Sequence, residues 1–142
     1  PDSLSYVIKD MFETITLYEN RVVSAKSKEL DNGKFQLDLE FNVSKYRNDE
    51  KGKMFYGDRQ IDSIYYQSEE MKKPQYSVYL EDYIDVGVFG ENDEEELYLK
   101  KHKITSINNN LTIILDKKPV EVGVDPYNKL IDTNSDDNRV KI

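Results

Sequence analysis

The sequence predicts an all-β domain of two packed sheets, with a helix in front of it. Three observations predict this. After Asn20 the apolar residues recur at every second position, the period of a strand with one buried and one wet face. Turn residues interrupt that alternation about every eight to twelve positions. Eleven Tyr and five Phe, with no Trp, also suit strands better than helices. Seven to eight short strands spaced in this way describe an immunoglobulin-like β-sandwich, although a barrel has the same pattern. A chain of 142 residues has the size of one domain with one core.

The first element is the exception to the strand period. Leu4, Ile8, Met11, Ile15 and Tyr18 fall at helical spacing, with Val7 and Phe12 widening the stripe and Ser3 placed to cap it. Residues 1–19 are therefore expected to form an amphipathic helix. A stripe this apolar needs a surface to pack on, either the sandwich itself or a domain that precedes it. The second is preferred, because Pro1 in place of a methionine suggests a piece of a longer polypeptide. Residues 20–142 are then the sandwich.

Its first strand carries Val23 and Ala25 on one face and leads into Asp31-Asn32-Gly33-Lys34. Asn-Gly between apolar runs is a strong hairpin signal, since both turn positions favour positive φ. In the next strand Phe35, Leu37, Leu39, Phe41 and Val43 point inward, while Gln36, Asp38, Glu40 and Asn42 point outward. Residues 48–53 read as a charged turn, Met54–Tyr56, Ile61–Tyr66 and Tyr76–Leu80 as strands, and Ser68–Pro74 as a loop or short helix. Ile84, Val86 and Val88 alternate up to Gly90, and the acids of Glu91–Glu96 read as a solvated loop tip. Leu97–Ile104 is a further strand, Asn108-Asn109-Asn110 a turn, and Leu111, Ile113 and Leu115 an inward face. Lys117-Lys118-Pro119 turns the chain into Val120, Val122 and Val124. Asp125-Pro126 resembles a helix cap followed by proline at the first helical position, opening a short turn through Leu130. Beyond Ile131 the chain is polar and expected to run over the surface.

Composition removes several classes of function. With 28 Asp and Glu against 20 Lys and Arg, the net charge of −8 repels phosphate backbones, so nucleic acid is not an expected partner. No polybasic patch and no apolar run of about 20 residues is present, so no direct membrane contact is expected. The chain has no cysteine, which removes disulfides, thiolate metal sites and thiol nucleophiles. His102 is the single histidine, so the two-histidine zinc motif H-E-x-x-H cannot be built. It sits among Lys100, Lys101 and Lys103 and reads as a sheet-surface or edge residue. Nothing around it marks a nucleophile elbow. Asp132-Thr133-Asn134-Ser135-Asp136 has the spacing of an EF-hand start, but Asp137 stands where the loop needs glycine. A full EF-hand is excluded, leaving only a loose calcium site there or at residues 92–96. No catalytic residue, metal ligand or cofactor is assigned to this chain.

Three stretches carry a resemblance. They are Ile15-Thr16-Leu17-Tyr18-Glu19-Asn20-Arg21, then Tyr83–Phe89 with Glu96–His102, and finally Asp125-Pro126-Tyr127-Asn128-Lys129-Leu130-Ile131-Asp132 followed by Asp136-Asp137-Asn138. In this order they resemble the C-terminal region of bacterial membrane proteins that join ABC-transporter permease segments to an aminopeptidase N-like zinc metallopeptidase. Two departures stand out: Thr133 where the family pattern has arginine, and an insertion-like stretch at residues 58–79. The resemblance implies a β domain behind the catalytic helices, with zinc held only by the upstream peptidase domain. It implies a non-catalytic accessory domain on the extracytoplasmic side, whose partner is that domain of the same polypeptide. Leu4, Ile8, Met11, Ile15, Asp125, Pro126, Tyr127, Leu130 and Asp132 are the expected interdomain contacts. An independent binding module for glycans or calcium is the alternative. Tyrosine pairs such as Tyr65-Tyr66 offer stacking platforms, although packing explains them as well.

Overall fold

The computed structural model describes residues 15–48, 54–56, 59–61, 80–92 and 95–142. These residues form nine strands in two antiparallel sheets, an all-β arrangement consistent with a sandwich. Strands β1 (Ile15–Glu29), β2 (Phe35–Asn48), β3 (Met54–Tyr56) and β4 (Arg59–Ile61) lie in that order in one sheet, and β7 (Asn108–Leu115) pairs with β2 beside them. The other sheet has the order β6 (Glu96–Ile104), β5 (Asp82–Phe89), β8 (Glu121–Val124), β9 (Arg139–Lys141).

The two sheets share one apolar core. Leu37, Leu39, Phe41, Val43 and Ile113 enter it from the first sheet, and Ile84, Val86, Val88, Val122 and Val124 from the second. The strict alternation expected of β2 holds from Leu37 to Phe41, where Asp38 and Glu40 are exposed. From Asn42 to Tyr46 every residue is buried, so this half of β2 is covered on both faces. The hairpin turn falls where expected, with Gly33 at φ 77 and its N–H bonded to the Leu30 carbonyl.

Several expectations need correction. Ile15–Tyr18 are the start of β1 and not the end of a helix; they pair with Asn48–Lys45 of β2. The rest of the expected helix, with Leu4, Ile8 and Met11, lies outside the described residues, as do Ser68–Pro74 and most of the strands expected at residues 61–66 and 76–80. In β1 the inward residue is Val22, 8% exposed, and Val23 is 46% exposed. A β-bulge between Val22 and Ser24 is the reason: Val22 pairs with Phe41 and Ser24 with Glu40, leaving Val23 as the extra residue.

Asn108–Asn110 belong to β7, opposite Asn42–Glu40, and the turn lies just before them. The Asn109 side chain donates to the carbonyls of Ser106 and Ile107, which fixes that turn from inside the strand. Asp125 is not a helix cap. Its φ of 45° is left-handed, Asn128 follows at 51°, and the Asn128 N–H closes a turn onto the Asp125 carbonyl. The tail runs over the surface through residues 133–136, as expected, but it then turns in: Asn138 is fully buried and β9 pairs with β8.

Candidate functional site: the closing segment and its sockets

The segment from Asp125 to Asn138 links the two sheets, and three carboxylates fasten it. The first is Asp85 on the outer side of β5. It is 6% exposed and accepts from Lys129 Nζ at 2.7 Å and from Lys101 Nζ at 3.2 Å. The Lys129 ammonium, with Lys101 behind it, holds the Asp85 carboxyl below the usual range despite burial. The second is Asp125, whose Oδ1 and Oδ2 accept the backbone N–H groups of Lys129 and Leu130 at 3.0 and 2.8 Å. Burial pushes its carboxyl up, against the pull of those two N–H groups, and the nearby Asp85 and Asp132 charges push the same way as burial. The third is Asp132. Its Oδ2 accepts the Asn20 N–H at 2.9 Å and Asn138 Nδ2 at 3.2 Å, and its Oδ1 accepts the Asn134 N–H at 2.9 Å.

Backbone completes the attachment. The Tyr18 N–H donates to the Ile131 carbonyl and the Thr133 N–H to the Tyr18 carbonyl, a parallel bridge between β1 and the segment. The Asp125 N–H donates to the Asp85 carbonyl at 2.7 Å.

Pro126 sits on a glycine floor. Gly87 of β5 and Gly123 of β8 are register partners, so the sheet carries no side chain at that point. A Cβ on Gly87 would lie 2.9 Å from Pro126 Cγ, and one on Gly123 3.0 Å from Pro126 Cβ. Phe89 borders this socket. Tyr127 meets it edge-on, with ring centroids 6.1 Å apart, and Arg139 lies over its ring at 4.4 Å. The Tyr127 hydroxyl donates to Glu96.

A second polar group ties the sheets at the end of the core. Lys45 is fully buried, and its Nζ donates to Asp82 Oδ2 at 3.0 Å; the Tyr18 hydroxyl donates to Asp82 Oδ1 at 2.9 Å. His102 lies half-buried on the edge strand β6, its Nε2 2.7 Å from the Tyr98 hydroxyl. Burial, helped by Lys100, lowers its pKa. Among the described residues no group of three or more His, Cys, Asp or Glu is placed to hold a metal ion.

Of the expected contact residues, Asp125 and Pro126 are buried, Pro126 against the outer face of the second sheet, and Leu130 packs on the core. Asp132 is half-buried, while Ile15 and Tyr127 are exposed together with Ile131, the last at 65%. Sequence reasoning missed Asp85, Asn20, Asn138, the Lys45–Asp82 pair and the glycine floor. Asp85, Asn20 and Asn138 lie in the stretches that carry the resemblance but were given no role there. The floor left a signal of its own, since Val86-Gly87-Val88 and Val122-Gly123-Val124 are the same tripeptide, aligned antiparallel residue for residue.

Compared with known proteins, the chain matches no family model, no curated protein and no solved structure.

Proposed function

We propose that this chain is a non-catalytic, immunoglobulin-like accessory domain that packs on and supports an aminopeptidase-like domain. That domain is taken to belong to the same polypeptide, a bacterial membrane protein with ABC-transporter permease segments, on the extracytoplasmic side. The observation that carries the reading is that the acids at the joint between the closing segment and the sheets, Asp125 and Asp132 of the segment and Asp85 of β5, are all committed to internal partners. Asp85, Asp125 and Asp132 each accept internal N–H or ammonium donors. A carboxylate committed in this way is neither a free base nor an available ligand. The last of the three stretches that carry the resemblance thus serves to hold the fold, as expected of a supporting domain.

The proposed contact with the upstream domain uses Ile15, Tyr127 and Ile131, exposed apolar side chains at the start of β1 and in the closing segment. Calorimetric titration of the chain against the separately produced upstream domain is expected to show saturable binding with a negative heat-capacity change. Ile15→Asp and Ile131→Asp are each expected to weaken it about tenfold or more. Absent binding, with the chain folded and monomeric, overturns the reading in favour of a tethered module with an external ligand. Turnover of an aminoacyl anilide by the pure chain, with or without zinc, would refute the non-catalytic assignment.

A further inference from the structure

Beneath the closing segment, four side-chain atoms of Asn20, Asp137 and Asn138 are buried without a hydrogen-bond partner among the described residues. Asn20 on β1 and Asn138 before β9 are both fully buried. The Asn20 N–H and Asn138 Nδ2 converge on one oxygen, Asp132 Oδ2, so the two residues are neighbours. Yet among the described residues Asn20 Oδ1, Asn20 Nδ2 and Asn138 Oδ1 find no hydrogen-bond partner, and neither does Oδ1 of the adjacent Asp137. Each such group is costly when dry, and protein interiors resolve the cost with ordered water.

We propose that this seam is a built site for ordered water, bridging Asn20 of β1 to Asn138 and Asp137 of the closing segment. The donor–acceptor balance selects water over a cation. The open atoms are three acceptors and one amide donor, and water can donate and accept at once. A hard divalent cation needs six to eight oxygens at about 2.3–2.6 Å and no N–H group in its shell. Here the central charge, Asp132 Oδ2, already faces two N–H donors. Asp132 Oδ1, the leading acid of the calcium-like spacing, is taken by the Asn134 N–H. The guanidinium of Arg21 stands 3.9 Å from the other oxygen of Asp137, a further obstacle to a cation.

The site makes solvent part of the joint between β1 and the closing segment. A high-resolution crystal structure of the chain tests it. The expected result is a solvent peak about 2.7–3.2 Å from at least two of the four open atoms, with two to four polar neighbours in all. Two results overturn the proposal: an Asn20–Asn138 amide pair bonded directly with no peak between them, or a peak ringed by six or more oxygens at cation distance. Thermal melts give an independent measurement. Melts in calcium chloride and in EDTA are expected to coincide within about 1 °C, whereas a rise of several degrees with calcium means a cation occupies the seam.

Discussion

Replacing Gly87 with alanine should destabilise the domain, against the usual trend for glycine in a strand. Glycine in a strand interior ordinarily costs roughly 0.5–1 kcal/mol relative to alanine, so the substitution taken alone is favourable. The structure reverses the sign. The new Cβ would meet Pro126 Cγ at 2.9 Å and Phe89 Cζ at 3.0 Å, where carbon–carbon contacts are optimal at about 3.5–4.0 Å. Neither ring can give way by swinging a flexible tail, so the closing turn must lift from the sheet. Overpacking of this kind costs about 1–3 kcal/mol, so after that gain of about 0.5–1 kcal/mol the net loss centres on roughly 1 kcal/mol and reaches about 2.5 kcal/mol. For a domain of this size that lowers Tm by about 3–8 °C, measurable by circular dichroism. Pro126→Ala removes the Cγ, so the double variant Gly87→Ala/Pro126→Ala should lose less than the sum of the single changes by at least about 0.5 kcal/mol. A Gly87→Ala protein as stable as the parent, or strict additivity in that cycle, would refute the seating of Pro126 on the glycine floor.

Further outcomes follow from the polar anchors. Asp125→Asn keeps the left-handed φ available but turns an amide NH2 toward one of two backbone N–H groups, for a loss of about 1–3 kcal/mol in urea denaturation. The Asp85 carboxyl is held low when folded, so its stabilisation is full above the ordinary aspartate range near 3.9 and lost as pH falls through the folded value. Between pH 5 and 2 the parent should therefore lose stability faster than Asp85→Asn. The raised carboxyl of Asp125 acts in the opposite sense, gaining stability as pH falls through its folded value, so Asp125→Asn should steepen acid denaturation. Equal acid slopes for all three proteins would contradict both assignments. Lys45→Met removes the buried ammonium from Asp82 and Tyr18, for an expected cost of about 3–5 kcal/mol. Adding Asp82→Leu should recover part of it, and no recovery would argue against a pairing penalty.

How far the sequence disclosed this fold depended on the range of each signal. The alternation of Leu37, Leu39 and Phe41 is local, and it marked one face of β2 correctly. Val23 and Ala25 do not share a face of β1 because a bulge is set by pairing: nothing in Val22-Val23-Ser24 says which valine is the extra residue. The three asparagines at 108–110 have turn chemistry, and ladder bonds to β2 override it while Asn109 still serves the neighbouring turn. Asp125-Pro126 looked like a helix start because Asp and Pro favour both caps and tight turns; the positive φ and the fit of Pro126 against two glycines decide for the turn. Lys45 and Asp82 stand 37 residues apart, and the burial that joins them is a property of the packed sheets. The closing segment was singled out by its residues, but not the inward direction of its acids, which depends on Asp85, Asn20 and the register of β5 with β8.

The joint between β1 and the closing segment bears on synthesis. The N–H of Asn20 finds its acceptor on Asp132, 112 residues later, and β8 finds β9 only at Arg139–Lys141. A ribosome that has made the first hairpin and most of both sheets still holds a polypeptide in which β1 lacks this edge partner. Native closure must wait until the tail has cleared the exit tunnel, at synthesis rates of about 5–20 residues per second. During that interval the edge of β1 is open to mispairing, which makes the interval a period in which a nascent-chain chaperone would protect this polypeptide.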